Sequence, residues 1–387
     1  MVTDRRSGPN DRRSLEIDRR SLLLGSLAML PVGASRNAFA QTGNADAGAL
    51  DAAFVSAAKK ADGSFAVVLL SADGRLVREV ALSARGHDIA LHRASGSAVV
   101  FARRPGTFAV AFALDGRRNP EILTAVAGRH FYGHGAFSAD GRLLYVSEND
   151  IANARGVVGQ YDVAAGFKRI GEFSSYGIGP HEIILLPDGK TLAIANGGID
   201  TVPESGRENL NLDAMAPSLV LVDATTGALI ANHTLDAGLH RLSIRHIAAD
   251  VSGTVWFGGQ WEGDIAATPE LIGRAGRDSA LRLIAPQAAL GSSLKGYIGS
   301  MAASADGRII AASAPKAGRI LYIDAATGEV RAQSDLKDGC GIAGDHDDVF
   351  AVTSGLGAFR HEVPGRAIIA EAALADLAFD NHLRKLG

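Results

Sequence analysis

The sequence predicts an all-β fold, a β-propeller of seven four-stranded blades, and three observations predict it. Glycine supplies 46 of 387 residues, about 12% against a usual share of about 7%, so the chain turns tightly and often. Short apolar runs are punctuated by Asp-Gly and Thr-Gly turns, the signature of antiparallel hairpins. The punctuation recurs: 47 residues separate His87 from His134, and again His134 from His181. A repeat of 40 to 50 residues with four strands each is a WD40/YVTN-like blade pattern. Ring closure removes exposed sheet edges, whereas a sandwich explains no repeat this regular. Hydrophobic residues at 47% supply a sizeable core, and a net charge of -3 offers no basic field, so nucleic acid is not an expected partner. The single cysteine, Cys340, excludes an internal disulfide.

Residues 1–40 read as a leader. Arg19-Arg20 precedes an apolar run from Leu22 to about Gly33, and Ala38-Phe39-Ala40 forms a small-x-small cleavage site. The pair followed by Leu22 resembles a twin-arginine export signal. The apolar run is too short to span a bilayer, and no comparable run follows, so a soluble periplasmic protein, without a stable membrane span once the signal is removed, is expected. Residues 41–62 read as a linker and 63–387 as one propeller domain.

Within that domain, 67–82 (VVLLSADGRLVREVAL) supplies outer strands, and inner strands fall near His87, His134, His181, His246, Ser300 and Cys340. The interval after His181 lengthens because the polar segment 197–217 is an inserted loop. The punctuation returns at 219–235, 301–313 and 319–333. The terminal run LADLAFDNHLRKL can pair with the outer strands at 67–82, closing a composite blade from both chain ends. Six or eight blades stay open, because 354–375 is irregular. A monomer is expected.

The candidate site follows from register. His87, His134, His181 and His246 each stand six to eight residues before an Asp-Gly or Ser-Gly turn, which places them where innermost strands begin, at the channel mouth. Converging neutral imidazoles hold zinc, copper or iron. The competing reading is that polar residues there satisfy buried backbone groups or channel water. Arg103, Glu148, Asn149, Asn196 and Gln260 fall at the ends of second strands, where they would orient the histidines or contact a ligand, and Arg245 adjoins His246. Cys340 occupies the equivalent position of a later blade. His382 is the closing blade's counterpart. Glu182 follows His181 and by strand alternation faces away from it. His92, His130, His233, His240, His346 and His361 lack the register.

The stretches FYGHGAFSADGRLLYVSEND and GIGPHEIILLPDGKTLAIANGGI, followed by Arg207, LNLDAMAPSLVLVD, RHIA, GGQWEGD and GYIGSMAASADG, resemble the twin-arginine-exported propellers grouped as domain of unknown function fifteen-thirteen. The likeness spans roughly 86–353. It implies a periplasmic protein associated with imelysin-type iron-uptake lipoproteins and haem-containing oxidoreductases. Three functions are compatible with these residues: a metal-binding accessory of iron uptake, a metal-dependent oxidoreductase or hydrolase, or an interaction scaffold using the inserted loop.

Overall fold

The computed structural model describes residues 51–103, 106–201, 210–284 and 292–387. The leader 1–40 and the first part of the expected linker lie outside the described residues. Seven four-stranded antiparallel sheets form a propeller. Among the described residues the only helical elements are short 3-10 turns. The innermost strands, in ring order from the closing blade, are Leu377–Lys385 (blade 1), Gly86–His92 (blade 2), Arg129–Phe137 (blade 3), Pro180–Leu185 (blade 4), Leu242–Ala249 (blade 5), Ser300–Ala303 (blade 6) and Gly339–Gly344 (blade 7).

Blade 1 joins both ends of the chain. Leu377–Lys385 pairs with Phe54–Lys60, which pairs with Phe65–Leu70 and then Leu76–Leu82. The C-terminal run therefore meets the strands at 67–82 through one further strand, and the sheet begins at Phe54, inside the stretch 41–62 expected to be linker. FVSAAKK shows no alternation of apolar and polar residues because Phe54 to Ala58 are buried on both faces. Its small and charged residues disguised a strand.

Each blade packs face to face on the next. Val55, Val67 and Leu69 of blade 1 meet Ile89, Val100 and Val110 of blade 2 in one apolar cluster. Burying each such side chain contributes about 1.5–3 kcal/mol. Middle strands such as Ser218–Asp223 are thus apolar on both faces, whereas outer strands such as Val330–Asp335 alternate half-buried and exposed. The turn Ser-Ala-Asp-Gly-Arg recurs three times with one hydrogen-bond pattern. Ser138 Oγ donates to Asp140 Oδ1 at 2.7 Å, and Ser304 Oγ to Asp306 Oδ1 at 2.6 Å.

The inner strands depart from regular pairing at one place. Register shifts fall between Gly86 and Ile89, Phe131 and Gly135, Pro180 and Glu182, Ile244 and His246, and Gly339 and Ile342. In blade 1 the partner strand skips from Ser56 to Ala58 while the inner strand passes from Leu383 to Phe379. A bulge leaves successive residues unpaired, so neighbours in sequence can face the same side.

Candidate metal centre

The bulges deliver five imidazoles to the channel axis, from blades 1 to 5. His87, His134, His181, His246 and His382 are all buried. Ring centroids lie 4.8 Å apart for His87 and His134, 4.7 Å for His134 and His181, 4.9 Å for His181 and His246, and 5.0 Å for His246 and His382. His382 closes the cluster, 4.8 Å from His87. His87 and His181 are the second residues of their strands, whereas His134, His246 and His382 stand further along strands that begin earlier.

Local sequence explains this approach in blade 3. Gly133 has φ of 100°, and a Cβ there would lie 2.9 Å from the His87 ring; one on Gly135 would lie 2.6 Å from Phe101. Gly-His-Gly is therefore the sequence that lets His134 reach the axis against blade 2. Buried serines steady the bulges: Ser147 Oγ donates to the His134 carbonyl at 3.0 Å, and Ser56 Oγ to the His382 carbonyl at 2.6 Å.

Carboxylates aim two of the rings, and a third carboxylate stands near another. Asp380 Oδ1 accepts from His87 Nδ1 at 2.8 Å, and Glu182 Oε2 accepts from His246 Nδ1 at 3.2 Å. Asp88 Oδ1 lies 3.9 Å from His382 Nδ1. A carboxylate behind one ring nitrogen fixes the tautomer and turns the other nitrogen toward a ligand, as in the carboxylate-histidine-metal arrangement. Deeper along the closing strand, Arg384 holds Asp88 at 2.6 Å and Glu182 at 3.1 Å, tying blades 1, 2 and 4 together. Arg85 and Arg103 bind Asp380 at 2.6 and 2.9 Å.

Loss of hydration governs the charge states. Burial lowers His87 to about 4, against the pull of Asp380, and His134 to about 3. His181 and His382 are also held well below the ordinary imidazole value by burial. These rings are neutral near pH 7, with lone pairs available. Burial opposes ionisation of Glu182 and Asp380 too. The hydrogen bond from His246, with the charge of Arg384, nonetheless brings Glu182 down to about 2, while His87, Arg103 and Arg85 hold Asp380 below the usual carboxylate range.

The residues fit a metal ion. His134 Nδ1, His181 Nδ1 and His246 Nε2 are buried without a hydrogen-bond partner, a cost that a ligand would relieve. His134 Nε2 lies 3.1 Å from His382 Nε2. Two nitrogens each about 2.1 Å from one ion and this far apart would subtend about 95°, an ordinary bond angle. Ligand atoms of His134, Glu182, His246 and His382, and separately of His87, His134 and His181, lie within 4.8 Å of one another. The set is rich in nitrogen and lacks sulfur, which suits borderline divalent ions of the first transition row.

The family model described as Protein of unknown function (DUF1513) matches residues 80–386. The chain belongs to that family. No curated protein matches the sequence. Similar solved structures include the hydrazine synthase of Kuenenia stuttgartiensis, at 12% identity and TM-score 0.56, covering 79% of this chain and 94% of that one. Another is the protein U3-55K, at 9% identity and TM-score 0.57, covering 78% and 85% respectively. At such identities the likeness concerns the fold alone.

In this DUF1513 member the remaining candidate residues divide. Arg103, Arg245 and Gln260 line a small cavity beside His87, His181 and His246. The structure places Glu148 away from the axis, within blade 3, where it accepts from Tyr161 Oη at 2.6 Å and Arg169 Nη2 at 2.8 Å. Asn149 donates to the Thr201 carbonyl at 2.8 Å and Asn196 to the Ser175 carbonyl at 2.9 Å. His130 Nε2 also approaches the Thr201 carbonyl, at 3.2 Å, so Asn149 and His130 anchor the start of segment 197–217. Residues 202–209 of that segment lie outside the described residues. Cys340 is buried in the apolar cluster between blades 7 and 1, with Sγ 3.6 Å from the Phe379 carbonyl. Burial raises its thiol to about 12, so no thiolate is available there at neutral pH.

Sequence reasoning missed Asp88, Glu182, Asp380 and Arg384. Alternation sends Glu182 away from His181, and it does serve another ring, that of His246; the bulge at Pro180 to Glu182 is what brings both residues toward the axis. The available signal was the recurrence of an acidic neighbour in Arg-Gly-His-Asp, Pro-His-Glu and Asp-Asn-His.

Proposed function

We propose that this protein binds a first-row divalent metal, iron or copper, with zinc as the redox-silent counterpart, at the axis of its propeller. The observation that carries the reading is the pairing of carboxylates with the Nδ1 atoms of His87 and His246, with orphaned nitrogens on His134, His181 and His246. Five blades contribute a histidine each there, and a purely structural core rarely leaves several buried ring nitrogens in one cluster without partners. His87, His134, His181, His246 and His382 would supply the first contacts, and Glu182 lies within reach of the same group.

The resemblance of the leader to twin-arginine signals supports a periplasmic location, and the family's association supports a role in iron uptake beside imelysin-type proteins. Binding rather than turnover is the simpler activity for a cluster this deeply buried. Elemental analysis of untagged protein, purified and then exposed in turn to ferrous iron, copper and zinc, tests the reading. The expected result is close to one equivalent of metal, lost in His134→Ala. A metal-free protein that takes up none of the three overturns it.

A further inference from the structure

Neither group of ligands at the axis fills the coordination sphere of a metal ion. One group offers the imidazoles of His87, His134 and His181; the other joins Glu182 to His134, His246 and His382. Glu182 is already engaged. Its Oε2 accepts from His246 Nδ1 and from the Ile247 N–H, both at 3.2 Å, and its Oε1 accepts from Arg384 Nη2 at 3.1 Å. Either group therefore presents three imidazoles, one ligand short of a closed tetrahedral site. Against them lies a cavity of about 20 Å³, room for little more than one water. His87, His181 and His246 form its floor, so a ligand of either group borders it. His181 Nδ1 and His246 Nε2 are buried without a partner. The walls of the cavity are pinned. Arg103 is ion-paired with Asp380 at 2.9 Å and Arg245 with Glu262 at 3.4 Å. Gln260 Nε2 donates to the Ile298 carbonyl at 3.2 Å, and Asn381 Nδ2 to Tyr297 Oη at 3.4 Å. Widening the cavity breaks one of these contacts.

We propose that this cavity holds the last ligand of the metal, a single exchangeable water, and that it admits only replacements of that size. The inference rests on the metal reading above and names what that centre can accept. Three protein ligands and one water make an open site, whereas a centre closed by four side chains exchanges nothing. The polar groups of Gln260, Tyr297 and Asn381 surround the water, as an enclosed water requires. The same pinned walls exclude larger molecules, so the bound ion meets ligands of one heavy atom and is shielded from organic ones.

Pulsed electron paramagnetic resonance of copper(II)-loaded protein tests this, with the copper content fixed by elemental analysis and the sample equilibrated in water enriched in the magnetic oxygen isotope. The expected result is one strongly coupled water oxygen. Fluoride, a water-sized ion, replaces that signal with a fluorine coupling. Imidazole carrying a nitrogen label, a ring too large for the cavity, leaves the water in place. Tyr297→Ala removes a wall without touching a histidine, and in that variant labelled imidazole displaces the water. Copper bound without a water coupling overturns the proposal and leaves the metal reading standing, as does imidazole acting as well as fluoride on the wild-type protein. A Tyr297→Ala variant that is folded by circular dichroism and still excludes imidazole overturns the assignment to this cavity. Should the variant not fold, the wild-type comparison decides alone. A protein that takes up none of copper, iron or zinc fails the metal reading itself, and this proposal falls with it.

Discussion

Blades 4 and 6 share one architecture, yet only blade 4 sends an imidazole to the axis. In blade 6, Ser300–Ala303 pairs in unbroken register with Ile309–Ala314, and a Cβ on Gly299 would lie 2.7 Å from Pro315. Blade 7 does have a bulge, but its strand reads Gly-Cys-Gly. Cys340 turns into the core, and a Cβ on Gly341 would stand 2.5 Å from Thr353 Oγ1 and 3.0 Å from the Leu383 backbone. Blades 1 to 5 combine a bulge with space at the axis, and each fills it with a histidine. The centre is therefore an arc of five blades facing a smaller arc of two. Blade 7 shows that broken register does not suffice without room at the axis.

The arc is broken most severely by removing the pair whose ring nitrogens stand 3.1 Å apart. His134→Ala combined with His382→Ala is expected to lower metal affinity at least 100-fold, since each direct ligand should matter more than the 10- to 100-fold typical of supporting groups. Calorimetric titration measures it. Cys340→Ala, in the opposite arc, should leave affinity within about twofold; an equal loss from both would erase the distinction between the arcs. Asp380→Asn comes next. It uncouples His87, Arg85 and Arg103 from a buried carboxylate, a change expected to cost about 3–5 kcal/mol in urea unfolding, because breaking a buried ion pair leaves charge uncompensated. A cost under 1 kcal/mol would mean that Asp380 does not organise this side of the arc.

Gly133→Ala sharpens the role of the bulge. A left-handed φ and contact with the His87 ring predict a loss of about 1–3 kcal/mol, with weakened metal binding. The smallest effect belongs to the two-blade arc. With its thiol raised to about 12, Cys340 should resist iodoacetamide at pH 8 while folded and react readily once unfolded. The sign for stability follows: below pH 9 the thiol is protonated in both states, and as pH rises through the unfolded value of 9 only the unfolded chain ionises, so this residue then lowers stability. Rapid alkylation of folded protein would contradict its placement in the core.

Much of this contrast is legible in sequence. The 47-residue spacing of His87, His134 and His181 reports blade geometry directly, and seven four-stranded sheets follow from the same punctuation. Phe54–Lys60 escapes because a strand covered on both faces loses its period-two pattern. His382 stands outside the spacing, since its strand closes the ring from the far end of the chain rather than opening a hairpin of the same type. Glu182 and Asp88 escape for a different reason: strand alternation assumes regular pairing, and both lie in bulges. Glu148 shows the reverse error, a polar strand end that looks available but is consumed by Tyr161 and Arg169 inside its own blade.

The most direct measurement is X-ray absorption at the edge of the bound metal, compared between wild-type protein and His134→Ala. The account predicts imidazole scattering with nitrogen neighbours near 2.0–2.1 Å, diminished when His134 is removed. A first shell of water oxygens alone, or a spectrum identical in the two proteins, would place the ion elsewhere and leave the five rings as a hydrogen-bonded core.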